Sequence, residues 1–307
     1  MLGFISHNDC RLHDPGDWHP DTPDRLDAIN NQLLMSGLDF VISHYDAPEA
    51  TREQLERAHD PAYLDRIFAS APGESDPPVE IDGDTVMSLG TLKAALHSAG
   101  AGVLGVDLIM EKKANPVFCA IRPPGHHAIR DKAMGFCLFN NVAVAAAHAL
   151  DVHGLERIAI VDFDVHHGNG TEDIFHSDPR VLFCSSFQHP FYPFTGHESD
   201  ATNLVDVPLP AGTDGPAFRA AIAEHWLPAL DRFQPQCLFI SAGFDAHILD
   251  DMSGIALVED DYRWLTEQLM GVAARHAEGR ILSMLEGGYE PPVLARCVVA
   301  HMNALLG

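Results

Sequence analysis

The segment Ile158–Gly170, IAIVDFDVHHGNG, decides which fold this chain adopts. An apolar run of strand length stops at two carboxylates, Asp162 and Asp164, and two imidazoles, His166 and His167. A buried strand has no use for such groups, because burying a charge is costly unless it is paired or bound to a metal. Asp164 and His166 are two residues apart, so an extended chain points both to one side. The segment predicts a strand whose carboxyl end supplies half of a zinc site.

Three further apolar runs stop at clusters of the same chemical kind. They are Val117–Ile121 before RPPGHHA (Arg122–Ala128), Cys237–Ile240 before SAGFDAH (Ser241–His247), and Ile281–Met284 before LEGGY (Leu285–Tyr289). The alternative explanation is that these polar residues only cap the helices that follow the strands. Four unrelated helix caps would not all consist of metal-ligating or acid–base residues. Helix-like stretches separate the runs, which is typical of a parallel α/β sheet that binds ligands beyond the carboxyl ends of its strands.

The remaining pattern predicts one domain over residues 1–307. The predicted helices are Ser88–Met110, Phe139–Leu150, Pro216–Arg232, Asp260–Ala277 and Pro291–Leu306. Residues 71–84 are rich in Pro, Gly and acidic residues and predict a loop. We do not interpret this loop as a linker between domains, because a helix-like stretch leads from it into the RPPGHHA strand.

Composition restricts the partners of the chain. It has 44 acidic and 19 basic side chains, a net charge of −25. Such a surface repels nucleic acid and anionic membranes and attracts cationic ligands, although solubility alone also explains it. The six cysteines form no Cys-x-x-Cys pair, so neither a disulfide framework nor a cysteine zinc site is expected. We recognise no signal peptide or membrane span and expect a cytoplasmic protein; homo-oligomer formation stays open.

The motifs, taken in order, resemble those of the histone deacetylase superfamily, which includes acetylpolyamine amidohydrolases and bacterial deacetylase-like proteins. The matching blocks are HPDTPDRL (His19–Leu26), RPPGHHA, GFCLFNNVAVAA (Gly135–Ala146), DFDVHHGNG (Asp162–Gly170), FYPFTG (Phe191–Gly196), SAGFDAH and LEGGY. The Asn of HHGNG and the Glu of LEGGY are more similar to the class II and bacterial branch than to class I. The resemblance implies a single-domain arginase/deacetylase-like α/β fold, with a central, mostly parallel sheet flanked by helices.

Three residues from two strand ends form the candidate zinc site. Asp164, His166 and Asp245 supply one imidazole and two carboxylates, which leave a fourth position of zinc open for water or substrate. Zinc lowers the pKa of bound water and polarises a carbonyl group. His247 is an alternative donor two residues beyond Asp245, but the resembled family does not use that position.

The histidine pair after the Pro-Pro-Gly turn is the candidate acid–base machinery. Amide hydrolysis needs a base that takes a proton from water and an acid that gives one to the leaving amine, and an imidazole can do both. The resemblance implies that His127 is this general base and acid, and that His126 stabilises charge and orients the water. Asp162 resembles the carboxylate behind His126. Behind His127 class I enzymes have Asp, whereas this chain has Asn169, which lowers the pKa expected for His127.

The resemblance also assigns the oxyanion donor and the substrate tunnel. Tyr289 resembles the phenol that donates to the oxyanion of the tetrahedral intermediate, and the glycines before it are expected to make its loop mobile. Phe136 and Tyr192 resemble the aromatic walls of the tunnel, and Gly135 the residue whose carbonyl meets the substrate amide. Asp84 resembles a rim carboxylate that grips the substrate backbone. Phe194 replaces a glycine that is usual in class I and is expected to reshape the tunnel mouth.

A potassium site is a further implication of the resemblance. Its candidate ligands are the Asp162 carboxylate, the backbone carbonyls of Asp164 and His166, and the hydroxyl of Ser185 or Ser186.

The sequence therefore predicts a zinc-dependent amidohydrolase that removes an acetyl or other acyl group from the amine of an acylated lysine or a similar small amine. An acetylpolyamine deacetylase is the first alternative; Gly254 stands where some such relatives have Glu, but Asp250 and Asp251 are close by. A second alternative is a non-catalytic module that binds an acylated ligand or a metal, although no active-site residue is missing. Binuclear manganese ureohydrolases would need additional bridging carboxylates.

Overall fold

The computed structural model describes residues 1–196 and 201–307. The strands are β1 (Gly3–Ser6), β2 (Ser43–Asp46), β3 (Val79–Asp82), β4 (Thr85–Met87), β5 (Val117–Cys119), β6 (Ile158–Asp162), β7 (Val181–Gln188), β8 (Leu204–Leu209), β9 (Leu238–Ala242) and β10 (Ile281–Leu285). The α-helices are α1 (Asp24–Ser36), α2 (Arg52–Glu56), α3 (Pro61–Ser70), α4 (Thr91–Met110), α5 (Asn141–Asp151), α6 (Asn169–Phe175), α7 (Gly215–Phe233), α8 (Glu259–His276) and α9 (Pro291–Leu306). Two short 3-10 helices cover Asn8–Leu12 and Leu38–Phe40.

Eight strands form one sheet in the order β2-β1-β5-β10-β9-β6-β7-β8, and every neighbouring pair is parallel. The four predicted strands occupy its centre as β5, β10, β9 and β6, and their residues are buried. Parallel sheets need helices on their faces, which explains why these strands read as continuous apolar runs. The prediction of a parallel α/β fold is confirmed.

The register of the sheet brings the motif segments together. Asp162, the last residue of β6, pairs with Ser185 on β7 and with Ser241 on β9. On the next strand pair, Ala242 ends β9 opposite Leu285, which ends β10. Because these strands are parallel and end level with one another, the segments that follow β6, β9 and β10 leave the sheet at one edge. All the predicted zinc ligands lie in these segments.

The predicted helices are present as α4, α5, α7, α8 and α9, with ends that differ by up to three residues. The prediction for residues 71–84 is partly wrong, because their last part forms β3, which pairs with β4 in an antiparallel hairpin. Within the matching block His19–Leu26, α1 begins at Asp24. Helix α1 packs against α9 at the other end of the chain, a contact that local composition does not reveal.

Helix α4 is long and apolar enough, by length and composition, to cross a membrane. It is instead covered by protein, since 72% of its most apolar window is buried. It packs against β1, β5, β10 and α5. Its hydropathy is therefore that of a core helix.

Candidate active site

A cavity of about 190 Å³ opens where the segments after the central strands meet. Its lining consists of Asp84, His127, Gly135, Phe136, His166, Phe191, Tyr192, Met252 and Tyr289. Six of these were predicted from the sequence as catalytic or substrate-binding residues, and His166 as a metal ligand. A larger cleft of about 400 Å³ near Met1 and Arg280 contains none of the motif residues. The smaller cavity is therefore the candidate active site.

The three predicted zinc ligands converge at the base of this cavity. His166 Nδ1 lies 3.0 Å from Asp164 Oδ1 and 3.1 Å from Asp245 Oδ2, and all three side chains are buried. Burial, together with the charge of Asp164, raises the pKa of Asp245 to about 7. A dication between the carboxylates would relieve their repulsion, so the donor set fits a zinc ion. His247, the alternative donor, faces Glu259 instead, at 3.3 Å.

Gly287 packs directly on the two carboxylates. Its backbone N–H donates to Asp164 Oδ2 at 2.8 Å, and a Cβ atom at Gly287 would lie 2.3 Å from Asp245 Oδ2. The next residue, Gly288, has a φ of +118°, which favours glycine. We expected these glycines to make the Tyr289 loop mobile. That mobility stays a prediction, while the close approach at Gly287 and the left-handed backbone at Gly288 each already favour glycine.

His126 is held by carboxylates on both sides of its ring. Its Nδ1 lies 2.9 Å from Asp162 Oδ2, and its Nε2 lies 3.8 Å from Asp164 Oδ1. Burial disfavours the charged ring, but these carboxylates outweigh it and hold the pKa of His126 well above its ordinary value. This environment favours the protonated form of the His126 ring.

His127 has the opposite electrostatic environment. Its Nδ1 donates to Asn169 Oδ1 at 2.7 Å, which leaves a lone pair on Nε2. The Asn169 amide nitrogen points to the His127 carbonyl at 3.4 Å, which supports this orientation of the amide. Burial and the charges of His126 and His166 hold the pKa of His127 well below its ordinary value. The two rings of the pair thus have opposite pKa shifts, and the environment of His127 favours a neutral imidazole that can accept a proton.

Glu286 is a residue whose structural role the sequence analysis missed. Its carboxylate is buried between the histidine turn and β9, and accepts from the backbone N–H groups of Gly125 at 2.7 Å and His126 at 3.1 Å. Ser241 Oγ donates to its other oxygen at 3.3 Å. Burial raises the pKa of Glu286 to about 7. A carboxylate directly after the mostly apolar segment Ile281–Leu285 was the signal that could have identified it.

Tyr289 is fixed by contacts to its backbone and to its ring. Asp250 Oδ2 accepts from the Tyr289 N–H at 2.6 Å, and Arg25 Nε donates to the Gly288 carbonyl at 2.6 Å. The Arg25 guanidinium lies 4.9 Å from the Tyr289 ring centre, and the Phe136 ring meets that ring edge-on at 5.8 Å. Burial keeps the pKa of Tyr289 well above its ordinary value, so the phenol retains its proton.

The loop after SAGFD does not present a carboxylate to the cavity. Asp250 is buried and turned towards the Tyr289 loop, while Gly254 donates its N–H to Gln188. From this loop it is Met252 that lines the cavity. Phe194 is 70% exposed and does not line the described cavity, whereas its neighbours Phe191 and Tyr192 do. The effect of Phe194 on the tunnel mouth stays a prediction.

Two consecutive residues of the cavity wall, Gly135 and Phe136, have a left-handed backbone conformation. Gly135 has a φ of +55° and Phe136 a φ of +71°. The Gly135 N–H donates to Asp84 Oδ1 at 3.1 Å, and the Phe136 N–H donates to Thr85 Oγ1 at 3.1 Å. Asp84 therefore does more than was expected of a rim carboxylate, because one of its oxygens supports the wall.

We expect Gly135→Ala to reduce kcat/KM by about 10²-fold, because small displacements of catalytic groups have effects of this size. The added Cβ would lie 2.4 Å from His127 Cδ2 and would push that ring out of place. Gly154→Ala is a matched control, since Gly154 has a φ of +67° and no atom lies near its Cβ position. Steady-state kinetics of both variants would check this, and equal activities would show that His127 tolerates the displacement.

The two candidate potassium-binding serines differ in their surroundings. Ser185 is next to Asp162 in the sheet, and its buried hydroxyl has no hydrogen-bond partner among the described residues. Ser186 faces the other way and lines a small cavity with Phe163 and Val165. Of the two hydroxyls, that of Ser185 is the one beside Asp162.

A parallel eight-stranded sheet with this cavity at the ends of its central strands is the arginase/deacetylase-like α/β fold. Residues 19–305 match the sequence profile of the histone deacetylase domain. The histone deacetylase-like amidohydrolase of Pseudomonas aeruginosa is 35% identical, over 94% of this chain and 77% of that protein. The polyamine deacetylase HDAC10 of Homo sapiens is 35% identical, over 96% of this chain and 46% of that protein.

Among solved structures, the HDA15 HD domain superposes with a TM-score of 0.92 at 31% identity, covering 100% of this chain and 88% of that one. The chain belongs to the histone deacetylase family and is a deacetylase-family hydrolase.

Proposed function

We propose that this chain is a zinc-dependent amidohydrolase that removes an acetyl or other acyl group from the amine of an acylated lysine or a similar small amine. The observation that carries this proposal is the meeting of a three-donor metal cluster, two histidines with opposite pKa shifts, and a phenol around one cavity. Asp164, His166 and Asp245 would hold the zinc. When bound, it would supply Lewis-acid polarisation of the amide carbonyl and acidify water.

The two histidines have different parts in the reaction. His127, neutral with a free Nε2, accepts a proton from the attacking water and later gives it to the leaving amine. His126, kept charged by Asp162, stabilises negative charge and orients the water. Glu286 holds the backbone of the turn on which both rings are placed.

Tyr289 and the tunnel wall select and position the substrate. The protonated phenol of Tyr289 donates to the oxyanion that forms at the acyl carbon. Phe136 and Tyr192 enclose the aliphatic stem of the amine, and each buried CH₂ contributes roughly 0.8 kcal/mol. The Gly135 carbonyl accepts from the substrate amide N–H, in a wall braced by Asp84 and Thr85.

We expect Asn169→Asp to move the acidic limb of the kcat/KM profile to higher pH. The new carboxylate behind the ring stabilises the protonated form of His127 and raises its pKa, so more of the base is protonated at a given acidic pH. Asn31→Asp, on the exposed part of α1, adds the same charge elsewhere. Profiles would be measured on one acetyl-lysine substrate at saturating zinc, and a limb that stays in place would exclude His127 as the titrating group.

The decisive experiment compares kcat/KM for acetyl-lysine peptides, free acetyl-lysine and acetylpolyamines. We expect the lysine substrates to be preferred, because Met252 rather than a carboxylate extends from the loop after SAGFD into the cavity. A strong preference for acetylpolyamines would instead favour polyamine deacetylation, which Asp84 at the cavity and the net charge of −25 could support. No turnover of any acylated amine, with intact ligand binding, would favour a non-catalytic module.

Three further assignments belong to this proposal. Residues 1–307 form one deacetylase domain, and the enzyme acts in the cytoplasm. A potassium ion binds Asp162 and the hydroxyl of Ser185, because that buried hydroxyl needs a partner.

A further inference from the structure

A second cluster of metal-ligating side chains lies outside the candidate active site. His7 precedes the 3-10 helix Asn8–Leu12, Asp9 lies within that helix, and His97 is on α4. One donor atom from each of the three lies within 4.8 Å of the others. The loop after β2 adds Glu49, whose Oε1 is 3.7 Å from His97 Nε2. None of these residues has a part in the proposed hydrolysis.

The hydrogen bonds of His97 leave one ring nitrogen free to bind a metal. Its Nδ1 lies 2.8 Å from the carbonyl of Ala47, and a carbonyl only accepts, so Nδ1 carries the proton. Nε2 therefore holds a lone pair in the neutral ring. This atom is buried and has no hydrogen-bond partner among the described residues. A metal-binding imidazole that donates its other N–H to a carbonyl is the usual arrangement in metalloproteins.

His97 Nε2 and Asp9 Oδ2 are about as far apart as two ligands of one zinc ion. His97 Nε2 is 3.4 Å from Asp9 Oδ2, and His7 Nδ1 is 3.6 Å from the same oxygen. Ligand atoms about 2.0–2.1 Å from a tetrahedral zinc lie about 3.3–3.4 Å apart. The contacts are long for hydrogen bonds and close to this separation.

The loop that carries Glu49 is fixed above His97. The Ala50 N–H donates to the Leu96 carbonyl at 2.9 Å, and the Pro48 carbonyl lies against α4 where only a glycine, Gly100, leaves room. The cluster is therefore assembled on a braced backbone. The Glu49 and Lys93 side chains, about half exposed, need to move when an ion binds. The His7 ring, which stacks on the His97 ring with 3.7 Å between their centres, also has to turn.

A comparison with another cluster, Asp107, His148 and His153, shows why the unpartnered nitrogen of His97 matters for metal binding. Asp107 Oδ1 is 2.8 Å from His148 Nε2 and 2.7 Å from His153 Nε2. There, Arg57 donates to His148 Nδ1 at 3.1 Å, so the proton of this ring is on Nε2 and is given to Asp107. The histidines of that cluster use their N–H groups in hydrogen bonds to Asp107. His97 Nε2 has no such partner among the described residues.

We infer that His97, Asp9 and His7 form a second site for a divalent transition metal such as Zn²⁺, with Glu49 as an outer carboxylate. Imidazole and carboxylate donors suit zinc and its neighbours rather than Mg²⁺ or Ca²⁺, which prefer oxygen alone. Two existing contacts oppose metal binding. Lys93 Nζ lies 2.7 Å from Asp9 Oδ2 and competes with the ion for that oxygen. His7 Nδ1 accepts from the Asp9 N–H at 3.1 Å, and this hydrogen bond is lost when His7 binds the ion.

The ion would tie the amino-terminal segment to α4. The next residue of this segment, Cys10, accepts from Arg122 through its carbonyl at 3.1 Å, and Arg122 is paired with the buried Asp21. Arg25 also binds Asp21, at 2.7 Å, and supports the Tyr289 loop. The site is therefore structural, and its occupation raises the melting temperature by mass action.

Equilibrium dialysis of chelator-stripped protein against buffered Zn²⁺ tests this inference independently of activity. We expect two bound equivalents per chain, one fewer in His97→Asn and one fewer in Asp245→Ala. The Asn amide can still donate to the Ala47 carbonyl, so the fold is preserved. His44→Asn removes an exposed histidine paired with Asp39 and controls for adventitious binding. An unchanged count in His97→Asn overturns the second site, while an unchanged count in Asp245→Ala overturns the active-site assignment instead.

Lys93→Met provides a test that removes no ligand. Loss of the competing ammonium should tighten binding of the second equivalent by about fivefold, the effect expected for one exposed charge pair. Zn²⁺ should also raise the melting temperature of Asp245→Ala, but not that of Asp245→Ala with His97→Asn. Affinity that is unchanged in Lys93→Met, or an equal thermal shift in both backgrounds, contradicts the site.

Discussion

Tyr289→Phe should lower kcat by about 10²–10³-fold while KM changes far less. The lost hydroxyl is the donor that we assign to the oxyanion, and removal of one such donor typically has an effect of this size. An interaction made mainly in the transition state affects kcat rather than substrate binding. The ring itself should stay in place, because its contacts with Arg25 and Phe136 involve the aromatic face and edge rather than the hydroxyl.

Tyr192→Phe is the matched control for this measurement. Tyr192 lines the same cavity and its ring meets that of His127 edge-on at 5.2 Å, but we assign its phenol no part in the reaction. Steady-state kinetics on one acetyl-lysine peptide should therefore separate the two variants by at least tenfold in kcat. A near-normal kcat for Tyr289→Phe would mean that the tyrosine only packs against its neighbours.

The sequence predicted the centre of the sheet and the metal cluster because both depend on strand ends. Four apolar runs in a parallel sheet must release their next residues at one edge, so Asp164, His166 and Asp245 had to approach one another. The structure confirms that approach, with His166 Nδ1 within 3.1 Å of both carboxylates. The resemblance added an expectation of which nearby histidine acts as the base.

The supports of the site could not be read from the sequence. Asp84 reaches Gly135 across 51 residues, and Arg25 reaches the Gly288 carbonyl across 263 residues. No local pattern encodes such contacts, since they depend on how a hairpin and a helix dock onto the sheet. The position of Asp250 was open for the same reason: its carboxylate turns under the Tyr289 loop rather than to the cavity mouth.

Asp245→Ala should abolish zinc binding in the active site and, with it, nearly all deacetylase activity. Two donors, Asp164 and His166, would remain, which is fewer than the three protein ligands usual in a catalytic zinc site. The substitution also removes the acceptor for the Val165 N–H, now 2.9 Å from Asp245 Oδ1, at a cost of about 1–3 kcal/mol in stability.

Asp245→Asn separates the two effects. Its side-chain oxygen can still accept from Val165, whereas its amide nitrogen is not a zinc ligand, so zinc should be lost with less destabilisation. Asp251→Ala, at an exposed position in the same loop, should keep both zinc and activity. Zinc would be counted by equilibrium dialysis in the His97→Asn background, so that only the active site contributes, and circular dichroism would report the fold. Full occupancy in a folded Asp245→Asn protein would remove Asp245 from the ligand set and, with it, the basis for placing hydrolysis at this edge of the sheet.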